Sequence, residues 1–141
     1  WKKIIASEST PGMAAKNRDT SFPARTRVVG ITDKLADPQV VYLKEEILKG
    51  GIVNNKILGI FLVGFKKTVN GFHNNLNDKS LEITLTAENR LFDSVSKSTW
   101  DIRGKYISGE FKSDLIPVAI SDEYWFSWKR FHPKSEIIRL N

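Results

Sequence analysis

Lys56-Ile57-Leu58-Gly59-Ile60-Phe61-Leu62-Val63-Gly64-Phe65 is the most apolar run in the chain, and its reading decides the fold. A half-exposed strand would be polar at every second position, and a surface helix at every third or fourth. After Lys56 this run has no polar residue at all. It therefore predicts a strand covered on both faces and central in its sheet. It is also far shorter than the ~20 residues that cross a bilayer, so no transmembrane segment is expected.

The pattern on either side reads mostly as short strands. Arg27-Val28-Val29-Gly30-Ile31-Thr32 is a β-branched run and a first strand. Asp33 to Pro38 reads as a turn and Gln39-Val40-Val41-Tyr42 as a second strand. Leu43, Ile47 and Leu48 share one helical face, and Gly50-Gly51 stops it, which predicts a short helix over residues 43–49. Downstream, Asn70-Gly71 is a hairpin signal that would set Thr68-Val69 against Phe72-His73. Ser80 to Leu85 alternates polar and apolar, as a half-buried strand does. Arg90–Asp93, Thr99–Ile102 and Lys105–Ser108 are further short strands.

Asp114 to Ile120 reads as an edge strand, because Pro117 cannot donate to a ladder. Around Leu115 such an edge would offer a second copy of the chain a place to pair, making a homo-oligomer. Ser121-Asp122-Glu123 supplies a cap and first-turn acids for an aromatic helix over residues 122–131. Tyr124, Trp128 and Phe131 would share one face of it, and Pro133 ends it. Ser135 to Leu140 is the last strand. The fold class is mainly β, with α+β as the alternative. The expected architecture is a single antiparallel β-rich sheet or barrel-like domain over residues 25–141, behind an extended lead-in over residues 1–24 that is dense in turn formers.

The 141 residues suit one domain with a substantial core, and 40% hydrophobic with 27% charged content is ordinary for a globular chain. The net charge of +6 admits an anionic partner or surface. The 22 basic residues are dispersed, with pairs at Lys2-Lys3, Lys66-Lys67 and Lys129-Arg130 but no long cluster. With no zinc-finger spacing and no RNA-recognition aromatic signature, this distribution argues against nucleic acid. The absence of cysteine excludes disulfides, iron–sulfur clusters and covalent c-type haem. The chain opens on Trp1 rather than Met, an end that removal of a secretory signal or trimming of a domain would leave.

Four segments in order resemble a known family. They are Arg25-Thr26-Arg27-Val28-Val29-Gly30-Ile31 with Val41-Tyr42-Leu43 and Gly51-Ile52-Val53-Asn54-Asn55; Leu91-Phe92-Asp93 with Ser98-Thr99-Trp100-Asp101; Gly104-Lys105-Tyr106-Ile107-Ser108-Gly109; and Tyr124-Trp125-Phe126-Ser127-Trp128 with Phe131-His132-Pro133. Together they are similar to the bacterial and archaeal family known as domain of unknown function 3179. The resemblance implies an extracytoplasmic, periplasmic or extracellular, β-rich protein and implies no activity. This chain departs from the family pattern in three places. The paired cysteines that many members carry after the central strand are missing from Gly64-Phe65-Lys66-Lys67-Thr68-Val69-Asn70-Gly71. Leu43 stands where a proline is common, and Lys97 where a glycine is common.

Chemistry-bearing residues are scarce. The two histidines are His73, among amides and beside Phe72, and His132, at the end of the aromatic helix. Each has a structural reading, as a turn residue and as a helix C-terminal residue respectively. Jointly they are candidate metal ligands or axial ligands to a noncovalent haem or transition metal. Phe72, Trp100, Tyr106 and Trp125, with Phe126 and Trp128, are the rings available to wall such a pocket. Of the indoles, Trp100 and Trp128 read as core, and Trp125 as partly exposed or pocket-lining. Asp93 and Asp101 flank a hydroxyl-rich loop, a pattern that more often forms turns than a hydrolytic pair. No nucleophile elbow or phosphate loop is present.

The reading is therefore non-enzymatic binding outside the cytoplasm. Its concrete form is a small haem- or metal-binding electron-transfer protein. The alternative is a secreted structural or protein-interaction module without cofactor, whose basic face meets an anionic partner.

Overall fold

The computed structural model describes residues 22–33 and 39–140. The expected lead-in lies outside these as far as residue 21, as does most of the turn expected over Asp33–Pro38. In chain order the elements are β1 Arg27–Ile31, β2 Val40–Leu43, α1 Lys44–Gly50, β3 Ile52–Asn55, β4 Ile60–Phe65, β5 Thr68–His73, β6 Asn75–Leu76 and β7 Lys79–Ser80. There follow β8 Ile83–Leu85, β9 Leu91–Asp93, β10 Thr99–Trp100, β11 Tyr106–Ser108, β12 Ile120–Tyr124, α2 Trp125–Phe131 and β13 Glu136–Ile138. The chain is mainly β, as expected. It forms several sheets rather than one, and among the described residues none closes into a barrel.

The chain divides into two compact units. One comprises residues up to Ile47 and from Ile120 onward, and the other is Leu48–Ala119. In sequence, the second is therefore an insertion between the two halves of the first.

The first unit is a sheet in the order β12-β1-β2-β13. β1 runs antiparallel to both neighbours, while β13 joins β2 in parallel, Ile137 opposite Val41. Val28, Val29, Gly30 and Ile31 are all buried, so the strand that ties the sheet together is covered on both faces. Val28, Val41, Trp125, Trp128 and Ile137 form a core, with Phe22 and Leu43 packed against it. Trp128 lies directly over β1. A Cβ built on Gly30 would sit 2.1 Å from the indole ring, so only glycine lets the helix come this close. The indole Nε1 donates to Ser135 Oγ at 2.9 Å, and Ser135 Oγ donates to the His132 carbonyl at 2.8 Å, which anchors the end of α2.

The second unit holds the sheets β3-β4-β5 and β11-β10-β9-β8 and the hairpin β6-β7. β4 is central, and Ile60, Phe61, Leu62 and Val63 are all buried. The run that opens the sequence argument thus does what its pattern requires, from Ile60 onward. Its first residues form a turn instead. The Gly59 N–H bonds the Asn55 carbonyl at 2.9 Å, and Ile57 is left 96% exposed. Phe61, Val63, Phe72, Leu76, Leu81, Ile83, Leu91, Trp100 and Leu115 are the core of this unit.

Three expectations are corrected. Asn70-Gly71 is not a turn. It lies inside β5, with Gly71 opposite Leu62 and Asn70 opposite Val63. The turn falls at Lys66-Lys67, where Lys66 takes a left-handed φ of 58°, and Asn70 instead spends its amide on the Ile102 carbonyl at 3.2 Å. Asp114–Ile120 does not form an edge strand. Only Pro117 bridges to Phe72, while Val118 N–H bonds Gly71 O and His73 N–H bonds Ile116 O, so the segment occupies the free side of β5 rather than offering an edge at Leu115. Ser121-Asp122-Glu123 does not cap a helix. These residues pair with Gly30, Val29 and Val28 in β12, and α2 starts at Trp125 with no side-chain cap. Long-range pairing with β1 wins over a local capping preference.

Candidate functional site

His73 closes β5 and stands opposite Ile60, half-buried, with its backbone tied to Ile116. Phe72 is buried, 5.6 Å from the Phe61 ring. Trp100 is 0% exposed, and its Nε1 donates to the Ser113 carbonyl at 2.7 Å. Tyr106 packs on the same core and donates its hydroxyl to the Gly109 carbonyl at 2.6 Å. Phe72, Trp100 and Tyr106 are thus brought together, as core of the second unit. Trp125 and His132 belong to the first. Trp125 is 2% exposed and meets Phe22 edge-on at 5.4 Å, so it is core rather than the exposed or pocket-lining indole expected. The cause is the helix start: with α2 beginning at Trp125, this residue and Trp128 make up its inward side. His132 is the C-cap of α2, its ring 3.9 Å from that of Trp128. Among the described residues no group of three His, Cys, Asp or Glu stands together to hold a metal ion.

The carboxylates of the hydroxyl-rich loop are engaged in its folding. Asp93, buried, accepts the Glu82 N–H at 2.7 Å, the Ser96 N–H at 3.0 Å, the Val95 N–H at 3.4 Å and the Ser96 hydroxyl at 2.7 Å. Burial opposes its ionisation, but these donors outweigh burial and hold the carboxyl below its ordinary range. Asp101 accepts the N–H groups of Arg103 at 2.8 Å and Lys105 at 3.0 Å. Lys97 takes the left-handed position of the loop with φ 60°. Buried Ser98 accepts the Phe111 N–H at 3.0 Å. Gly109 approaches so closely that a Cβ there would lie 2.2 Å from the Ser98 Cα.

The exposed aromatic residues are gathered elsewhere, at the junction of β12 and α2. Tyr124 and Phe126 stack with centroids 6.0 Å apart and planes at 15°, and the Arg27 guanidinium lies 4.9 Å from the Tyr124 centroid. Phe126 is 48% and Phe131 71% exposed. Phe126 and Arg130, four residues apart, share one line of the helix opposite Trp125 and Trp128, and Phe131, three residues after Trp128, stands exposed at the margin of that face at the helix end. Lys129 is exposed beside them. Asp122 is already neutralised, by Arg27 at 2.5 Å and Lys44 at 2.6 Å. Burial raises its pKa, but the two cations outweigh burial and hold it low. Among the described residues no carboxylate pairs with Lys129 or Arg130. Sequence spacing alone misses this face, because reading Tyr124 as helical sets it in line with Trp128 and Phe131 on the packing side. The signal that finds it is the strand pattern of Ile120–Tyr124, which moves the start of the helix to Trp125.

No curated protein and no solved structure matches the chain. The family model described as "Protein of unknown function (DUF3179)" matches residues 2–135, nearly the whole chain, and the chain belongs to that family.

Proposed function

We propose that the chain is a non-enzymatic interaction module that works outside the cytoplasm and recognises an anionic partner through the outward face of α2. The carrying observation is the division of the aromatic residues. Phe72, Trp100 and Trp125, the rings that a haem pocket would recruit, are consumed in packing two cores. Tyr124, Phe126 and Phe131 are left on the surface with Arg27, Lys129 and Arg130 interleaved. Exposed aromatic and cationic side chains together are what recognition surfaces are enriched in. The net charge of +6 favours the same class of partner by long-range attraction.

The test compares two variants of equal charge on an immobilised polyanion such as dextran sulfate. Lys129→Ser with Arg130→Ser should elute at clearly lower salt than Lys66→Ser with Lys67→Ser. Equal elution of the two would remove the assignment to α2. An absorption spectrum of protein isolated from its native source tests the cofactor reading directly. A Soret band would favour His73 and His132 as ligands and overturn the present proposal.

A further inference from the structure

Resting on that reading, we propose that the anionic partner is a lipid bilayer surface, with Phe126 and Phe131 entering the interfacial region while Arg130 and Lys129 meet lipid phosphates. Charge alone does not choose between a soluble polyanion and a membrane. The phenyl groups do. Phe131 is 71% and Phe126 48% exposed, and neither carries a polar atom that a polysaccharide or an acidic peptide would hydrogen-bond. A soluble polyanion would satisfy the cations and leave both phenyls in water. A bilayer interface offers phosphate to the guanidinium and, a few ångströms deeper, apolar chain to the rings.

The arrangement of the helix fits this. Trp125 and Trp128 fix α2 to its sheet from below, so the outward face is held rigid rather than folding on contact. Phe126 lies one turn before Arg130 on that face, and Phe131 stands exposed at its margin. A short amphipathic element with phenyls beside Lys and Arg is the chemistry of a helix lying in the interfacial plane. Asp122 does not repel lipid phosphate, being paired with two cations. Glu123 accepts a hydrogen bond from the Ser121 hydroxyl.

Co-sedimentation of the full chain with vesicles tests the inference. The protein should sediment with mixed phosphatidylglycerol–phosphatidylcholine vesicles and not with phosphatidylcholine alone. Phe131→Ser should weaken partitioning roughly tenfold, the worth of one phenyl removed from water. Arg130→Ser should weaken it about fivefold, the worth of one cation at an anionic leaflet. Ile57→Ser and Val95→Ser, which remove exposed apolar side chains of the other unit, should leave partitioning unchanged. Retention on dextran sulfate without sedimentation on any vesicle overturns the lipid assignment and leaves the anionic-partner reading standing. Failure on both matrices ends both. Sedimentation that survives Phe131→Ser and Arg130→Ser but is lost in Ile57→Ser overturns the placement on α2.

Discussion

Replacing Gly30 by alanine tests the contact that seats α2 on its sheet. The added methyl carbon would lie 2.1, 2.2 and 2.6 Å from three carbons of the Trp128 ring. Ordinary carbon–carbon contact is about 3.5–4.0 Å, so the indole must retreat by about 1.5 Å. It has little room, being fully buried and held by its Nε1 bond to Ser135. Overpacking of this kind costs ~1–3 kcal/mol. Expelling the indole instead forfeits ~3–5 kcal/mol, the loss seen when a buried aromatic is removed. The fold takes the cheaper route, and the anchored ring places the cost near the top of the first range, about 3 kcal/mol. Urea unfolding followed by near-ultraviolet circular dichroism reads this as a midpoint lowered by about 1.5 M. Amide exchange of Val28–Ile31 should accelerate with it. Combining Gly30→Ala with Trp128→Phe, whose ring is smaller, should cost at least ~1 kcal/mol less than the two changes summed. A midpoint shift below about 0.5 M, or simple additivity in the pair, would refute the reasoning.

Asp93→Asn should cost about 3 kcal/mol, because the new amide turns donors toward N–H groups that need an acceptor; urea unfolding of the variant checks it. The folded carboxyl titrates below the unfolded value of about 3.9, so its contribution is complete above that pH and is lost as pH falls through the lower folded value. Acid unfolding of Asp93→Asn should therefore show a flatter limb below about pH 4 than the parent. Lys97→Gly relieves a left-handed residue and should stabilise the second unit by ~0.5–1 kcal/mol, measured as a raised urea midpoint. Gly109→Ala should cost ~3 kcal/mol or more, since its Cβ would meet the Ser98 backbone, which cannot swing aside as a side-chain tip does; thermal unfolding reads this as a lowered midpoint.

How far the sequence reveals this molecule depends on whether a signal is local. The central strand is legible because five apolar residues from Ile60 to Phe65 surround one glycine, a pattern that only burial on both faces tolerates. The helix at Lys44–Gly50 is legible to within a residue because Gly50-Gly51 marks its end. The hairpin after β4 is not legible, because its left-handed residue is Lys66, a type that carries no turn signal, while the conspicuous Asn-Gly pair is drawn into β5 to match the six residues of β4. Nor is the first unit's sheet legible. β1 finds β12 across nearly ninety intervening residues, and that pairing converts a capping sequence into a strand. The candidate site inherits this. Of the rings offered as pocket walls, Phe72, Trp100 and Tyr106 pack in the second unit and Trp125 and Trp128 in the first, whereas the exposed face of α2 depends on a helix start that only the β12 pairing fixes.

That dependence is itself an argument about what α2 is for. A helix of seven residues is too short to be stable alone, and it persists because two indoles are driven into a sheet. Trp125 and Trp128 supply that anchoring and are hidden by it. Nothing in the anchoring requires phenyl groups at Phe126 and Phe131, which are left exposed where solvated polar residues would serve folding better. Arg27, from a different strand, is placed over Tyr124 rather than released into solvent, although its pairing with Asp122 already accounts for its charge. Folding thus explains the inward half of the aromatic segment and leaves the outward half unexplained. A surface whose composition runs against solubility, seated by two buried indoles, is what selection for contact with an apolar and anionic phase would keep.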